Sequence, residues 1–70
     1  SEDRRSIIGF CNWDKPMMTM DMCENMAMAM DQARLTSDDY YLFSATDFEP
    51  ALQSYVVRDP RFKLINMNEL

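Results

Sequence analysis

The chain has 70 residues, with 12 acidic against 7 basic side chains, a net charge of −5, a single glycine and no histidine. Without histidine it cannot build a Ser-His-Asp triad, a Cys-His pair or an imidazole zinc site, and one glycine cannot form a glycine-rich phosphate loop. The acidic balance argues against direct nucleic-acid binding. Apolar residues make up 47% of the chain, which predicts one small folded domain over residues 1–70 and not a disordered segment.

The first predicted element is a strand over residues 5–12. It contains the β-branched residues Ile7 and Ile8 and the aromatic Phe10, and a polar segment before Pro16 follows it. Apolar side chains on both of its faces favour a central position in a sheet. Gly9 weakens a strand interior, which indicates a bulge or a close approach to the backbone.

A methionine-rich segment follows, and its periodicity predicts a helix over about 16–34, with Asp14 as the N-cap and Pro16 in the first turn. One broad apolar stripe of this helix contains Met18, Met22, Cys23, Met26, Ala29, Met30 and Ala33. The opposite, polar stripe contains Asp21, Glu24, Asn25, Asp31 and Gln32. Met17 and Met28 fall among the acidic residues, where packing into a core does not explain them.

Residues 40–44 form a short run rich in aromatic side chains, which predicts a second strand. The alternative is a short helix over 38–44 capped by Ser37, with two aspartates in its first turn. This alternative would make the domain mostly α-helical.

A second helix is predicted over about 47–58, because one helical face is continuously apolar. That face contains Phe48, Ala51, Leu52, Tyr55 and Val56. Thr46 or Asp47 is expected to cap its start, and the Asp59-Pro60 pair ends it.

The third predicted strand covers residues 61–67, with Phe62 and Leu64 facing inward. The element order β-α-β-α-β predicts an α+β domain in which two helices pack on a three-stranded sheet. If the strands are parallel, each crossover is expected to be right-handed. Arg61 and Lys63 would discourage pairing at one edge of this sheet.

The sulfur-bearing side chains allow two interpretations. Met18, Met22, Cys23 and Met26 share one helix face, and thioether and thiolate ligands suit Cu(I). The same stripe suits a hydrophobic core, which we favour because the chain has neither histidine nor a CxxC pair; we therefore expect no metal and no cofactor. Cys11 and Cys23 are predicted to be reduced and unreactive, although sequence alone also allows a bridge between them.

No nucleophile beside a general base is recognisable, so we expect no catalysis. Exposed methionines on an acidic face are typical of adaptable protein-binding surfaces. We therefore predict a small acidic protein-protein interaction or regulatory module whose contact lies on the exposed face of the first helix. A tryptophan just before this helix is expected to serve as an anchor. The predicted contact residues are Trp13, Met17, Asp21, Glu24, Met28 and Asp31.

Two other functions remain open. Spaced carboxylates could occupy the basic groove of a nucleic-acid-binding protein, and the Met/Cys helix face could bind Cu(I) or serve a redox role. The expected partner is another protein or a second copy of this chain, and not a nucleic acid. A membrane is not expected either, because no apolar window approaches 18 residues. Two cysteines are too few for a disulfide framework, and the charged N-terminus shows no signal-peptide pattern, so we expect a cytoplasmic protein.

Overall fold

A three-stranded parallel sheet with two helices forms the protein, as seen in a computed structural model that describes residues 5–69. Its elements in chain order are β1 (Ile7–Asn12), β2 (Met17–Met18), α1 (Met20–Gln32), β3 (Asp39–Ser44), β4 (Asp47–Phe48), α2 (Pro50–Arg58) and β5 (Phe62–Asn66). A 3-10 turn over Met67–Glu69 follows the last strand. The predicted β-α-β-α-β order is confirmed, and the mostly helical alternative over 38–44 is wrong because that segment is β3.

The strand order across the sheet is β1-β3-β5, and both pairs of neighbours are parallel. The predicted central position of the first strand is therefore wrong, since β1 lies at an edge and β3 is central. Both crossovers advance in the same direction across the sheet. Crossovers of the same hand then place both helices on the same face, and α1 and α2 accordingly contact each other.

The first helix begins four residues later than predicted, at Met20. Asp14 is not its N-cap; Thr19 is, and its hydroxyl accepts a 3.2 Å hydrogen bond from the Met22 amide. The difference arises because Met17–Met18 forms β2 and pairs with β4. At the other end the helix stops at Gln32, two residues before the predicted end.

The second helix also begins later than predicted, at Pro50, and neither Thr46 nor Asp47 is its N-cap. Asp47 belongs to β4, while the Thr46 hydroxyl bonds to loop atoms before β2. Glu49 occupies the N-cap position but does not cap α2 with its side chain. Its carboxylate instead accepts a 2.9 Å hydrogen bond from the Met20 amide. This bond satisfies one of the backbone N–H groups at the start of α1 that have no partner within the helix.

The hydrophobic core lies between the sheet and the two helices. Its buried members are Met18, Cys23, Met26, Tyr40, Leu42, Leu52 and Phe62. Phe62 stacks on Tyr40 with ring centroids 4.8 Å apart and meets the edge of Tyr55 at 5.5 Å. The predicted inward orientation of Phe62 and Leu64 is confirmed, since Phe62 is buried and Leu64 packs against the core. Neither helix in the described part of the chain is long and apolar enough to cross a membrane.

Candidate interaction surface

One face of the sheet carries both helices and the opposite face carries no element among residues 5–69. Side chains alternate between the two faces of a strand, and the burial pattern of β3 shows this alternation clearly. Tyr40, Leu42 and Ser44 are buried toward the helices, while the residues between them are only half-buried. We call the uncovered side the open face; it consists of Ile7, Gly9, Cys11, Asp39, Tyr41, Phe43, Lys63 and Ile65.

The centre of the open face is apolar and aromatic. Tyr41 and Phe43 lie on the central strand with ring centroids 6.1 Å apart. The Phe43 ring extends over Gly9, so that a Cβ atom at Gly9 would lie 3.3 Å from Phe43 Cε2. The close approach predicted for Gly9 is therefore made by this ring. Ile7 is 57% exposed at one side of the face, and half-buried Ile65 lies at the other.

A small ionic cluster closes the amino-terminal end of the open face. The Asp39 carboxylate accepts hydrogen bonds from Arg5 Nε at 3.0 Å and Nη2 at 3.2 Å, and Lys63 Nζ lies 3.8 Å away. The hydrogen bonds from Arg5 hold the pKa of Asp39 below its usual range, with a further contribution from Lys63. Asp38 lies at the same end, where its exposed carboxylate accepts a 2.9 Å hydrogen bond from the Ser6 amide, so this end carries two cations and two carboxylates.

The carboxyl ends of the strands, where ligands bind in many open parallel sheets, hold a polar network. Asn12 and Ser44 are buried side by side, and Asn12 Nδ2 donates to Ser44 Oγ at 3.1 Å. Thr46 Oγ1 donates to the carbonyl of Lys15 at 3.2 Å. Every buried side-chain nitrogen and oxygen of the described residues has a hydrogen-bond partner. The network therefore ties the loops after β1 and β3 together.

Four of the predicted contact residues lie on the exposed face of α1, as the periodicity predicted. Asp21, Glu24, Met28 and Asp31 are all exposed, and the Met28 side chain is 60% exposed in the middle of them. We call this group the α1 face. It offers one apolar side chain surrounded by carboxylates.

Trp13 and Met17 lie outside the α1 face. Met17 is half-buried in β2 opposite Asp47, so its predicted place on the acidic side of a helix is wrong. The physical reason is the pairing of β2 with β4, a contact between segments distant in the chain. Trp13 is 69% exposed in the turn between β1 and β2.

The sulfur atoms of the Met/Cys helix face that could bind Cu(I) lie in the hydrophobic core. Met18, Cys23 and Met26 are buried, and Met22 packs against them. Burial is the main cause that raises the pKa of the Cys23 thiol, and the nearby carboxylates of Glu24 and Asp59 raise it further. Cys23 is therefore a neutral core thiol. Cys11 is exposed on the opposite side of the sheet, and both cysteines are free.

Similarity to known proteins adds no functional information. No protein-family model, no curated protein and no solved structure matches the chain. The functional argument therefore depends on two surfaces: the apolar open face of the sheet and the acidic α1 face.

Proposed function

We propose that this domain is a small non-catalytic protein-protein interaction module whose open face binds an amphipathic helix of another protein. The observation that supports this most strongly is the parallel sheet with both of its helices on one face. Parallel sheets are almost always covered on both faces. The strands also carry apolar residues on the open face, as expected for a sheet that is covered on both faces. The elements within residues 5–69 cover only one face.

The dimensions of the open face suit one helix. Three strands spaced about 4.8 Å apart and about 20 Å long form a surface narrower than two helices. One α-helix is about 10–12 Å wide with its side chains, and about 13 residues of it span 20 Å. A single helix of this length would cover Tyr41, Phe43 and Ile65 together.

The charges at the end of the open face define the partner further. Arg5 and Lys63 are 65% and 46% exposed at the side chain, whereas the Asp39 between them is 15% exposed. A glutamate or aspartate at one end of the partner helix would pair with these two cations. The proposed partner is therefore a helix with an apolar stripe at i, i+3, i+4 and i+7 and an acidic end.

The α1 face is the second candidate contact, and it supports a different function. Asp21, Glu24 and Asp31 point to solvent on one helix, as an inhibitor of a basic nucleic-acid-binding groove would require. Other acidic residues are already engaged: Asp39 and Asp59 form ion pairs with arginine. Asp14, Asp38 and Asp47 are also exposed but lie outside α1, so we place the inhibitor function second.

A binding experiment with two matched peptide libraries tests the proposal. Both libraries encode helix-forming 15-residue peptides with the same apolar stripe; one carries glutamates at an end and the other carries lysines. Selected peptides are measured by fluorescence anisotropy against the protein. We expect binders from the glutamate library, and we expect Tyr41→Asp to weaken them at least about tenfold because it removes a central apolar contact.

Charge reversal and a control variant sharpen this test. Lys63→Glu should weaken the glutamate-ended peptides and strengthen their lysine-ended counterparts, a reversal that partial unfolding cannot produce. Met28→Asp on the α1 face should leave binding unchanged. The proposal is wrong if neither library yields a binder, or if Met28→Asp abolishes binding while Tyr41→Asp does not. Strong salt-dependent binding of a basic protein, lost in Glu24→Lys, would instead support the inhibitor function.

A further inference from the structure

We propose that two copies of this chain pair edge to edge through β1, in antiparallel orientation, so that the two sheets join into one of six strands. This inference concerns the edge of the sheet and does not depend on what binds the open face. It rests on the difference between the two edges, on the backbone groups that β1 presents outward, and on the groove beside it.

The two edges of the sheet differ in their protection against further pairing. The β5 edge has Pro60 and Arg61 immediately before it and Lys63 within it. Charged side chains and proline are the means by which proteins block edge strands. The six residues of β1 contain no charge and no proline. In the described part of the chain, no strand pairs with the outer edge of β1.

The hydrogen bonds of β1 show which backbone groups are available. The carbonyls of Ser6 and Asn12 accept from the amides of Asp39 and Ala45, each at 3.1 Å, and so face β3. Successive residues of a strand direct their backbone groups to opposite sides. Ile7, Gly9 and Cys11 therefore present their amides and carbonyls outward. With Gly9 opposite Gly9 of the second copy, these residues would form about six backbone hydrogen bonds.

This register also pairs compatible side chains. It places Ile8 on the helix side of the sheet opposite Phe10 of the second copy, a β-branched and aromatic pair of the kind that stabilises sheets. A groove of about 320 Å³ runs beside β1 at this position. It is lined by Ile8, Gly9, Phe10, Met26, Ala29, Met30 and Leu35. Leu35 is 55% exposed there and would be covered by the second copy.

Charge explains both why this edge is used and why assembly stops at two copies. Each copy carries a net charge of −5, so two copies repel each other over most of their surfaces. The uncharged β1 edge is a place where they can approach without opposing like charges. The pairing is symmetric and uses the β1 edge of both copies, which leaves only the two protected β5 edges outside.

Sedimentation equilibrium tests the pairing directly. We expect a dimer that persists in about 1 M salt, since backbone hydrogen bonds and apolar contacts are not screened as surface ion pairs are. The double variant Ile7→Pro/Cys11→Pro removes two of the three outward amides and none that faces β3, so it should be a monomer with the same circular dichroism. A monomeric wild-type protein would overturn the proposal, as would a dimer that survives the double proline or a ladder of larger species.

Disulfide cross-linking tests the register. In the proposed pair, Ile7 lies opposite Cys11 of the second copy with Cα atoms about 5.5 Å apart, a separation at which a disulfide forms readily. Oxidised Ile7→Cys should therefore give a covalent dimer through the native Cys11. Ile65→Cys, on β5, is the matched control and should give none. Equal cross-linking of both variants would contradict the register.

Discussion

Tyr40 and Tyr41 are neighbours in the chain and the same residue type, yet they lie in very different surroundings. Tyr40 is 8% exposed, stacks on Phe62 at 4.8 Å and accepts a hydrogen bond from the Ser37 amide at 3.2 Å. Tyr41 lies on the open face, half-buried, with the tilted ring of Phe43 beside it. The period of two along β3 decides which tyrosine enters the core and which lies on the open face.

The same difference extends across the whole sheet. On the covered face, strand residues meet Cys23 and Met26 from α1 and Leu52 from α2. On the open face, no helix among residues 5–69 covers the apolar residues of the same kind. A hydrophobic strand residue therefore identifies a core position only when an element is available to cover it.

The largest expected effect compares adjacent residues on the two faces of β3. Leu42 is fully buried, so Leu42→Ala should lower the free energy of unfolding by about 3 kcal/mol through lost burial and a cavity. Tyr41→Ala should cost about 1 kcal/mol, because a half-buried side chain loses less contact. Urea denaturation of both variants measures the difference. Equal losses would contradict the assignment of the two faces.

The next smaller expected effect on stability concerns the hydrogen-bonded carboxylates, of which Asp59 and Asp39 are the examples. Asp59 accepts hydrogen bonds from Tyr55 Oη and Arg61 Nη2, both at 2.8 Å, and these bonds, chiefly those from Arg61, hold its pKa well below the usual range. On the open face, Arg5 shifts the pKa of Asp39 in the same direction. Asp59→Asn should cost about 1–2 kcal/mol at pH 7, since it weakens these charge-assisted hydrogen bonds.

The lowered pKa values also determine how stability depends on pH. Below about pH 4 the unfolded chain binds protons that the folded carboxylates do not yet bind, so the free energy of unfolding falls as the pH falls further. Asp59→Asn should flatten this decline, because it removes a carboxylate whose pKa is lowered in the folded protein. Denaturant titrations between pH 2 and pH 7 would contradict the assignment if wild type and Asp59→Asn declined in parallel.

The smallest predicted effect lies at the end of α1. Arg34 follows the C-cap Ala33 with a φ of 57°, a left-handed conformation in which helices commonly place glycine. Arg34→Gly should stabilise the protein by about 0.5 kcal/mol, because relief of strain exceeds the entropy that glycine gains in the unfolded chain. Arg58→Gly, at the end of α2, is a control that should destabilise. A stability loss in Arg34→Gly would contradict the account.

The sequence predicted the type and order of the main elements because each has a clear period. The apolar stripe of α1, the face of α2 and the alternation in β5 depend only on neighbouring residues. Helix starts were predicted less well. Asp14, Thr46 and Asp47 satisfy local capping rules, but pairing of β2 with β4 occupies the residues that those caps would have made helical.

The strand order and the open face could not be read from the sequence in the same way. β1 and β3 both carry apolar residues on both sides, and this pattern made β1 look central. The apolar run Tyr40–Phe43, which no glycine interrupts, was the available signal for β3. Both helices cover one face because both crossovers advance in the same direction across the sheet. This direction depends on the three-dimensional arrangement of the chain and not on any local sequence pattern.

Alkylation of the two native cysteines tests the central claim, that the sheet has one covered and one open face. Cys11 lies exposed on the open face, whereas Cys23 is 2% exposed in the core, where burial raises the pKa of its thiol. In the native protein, Cys23 should react at least about 100-fold more slowly than Cys11, because its reaction requires opening of the core. Similar rates for the two thiols, or faster reaction of Cys23, would contradict the account.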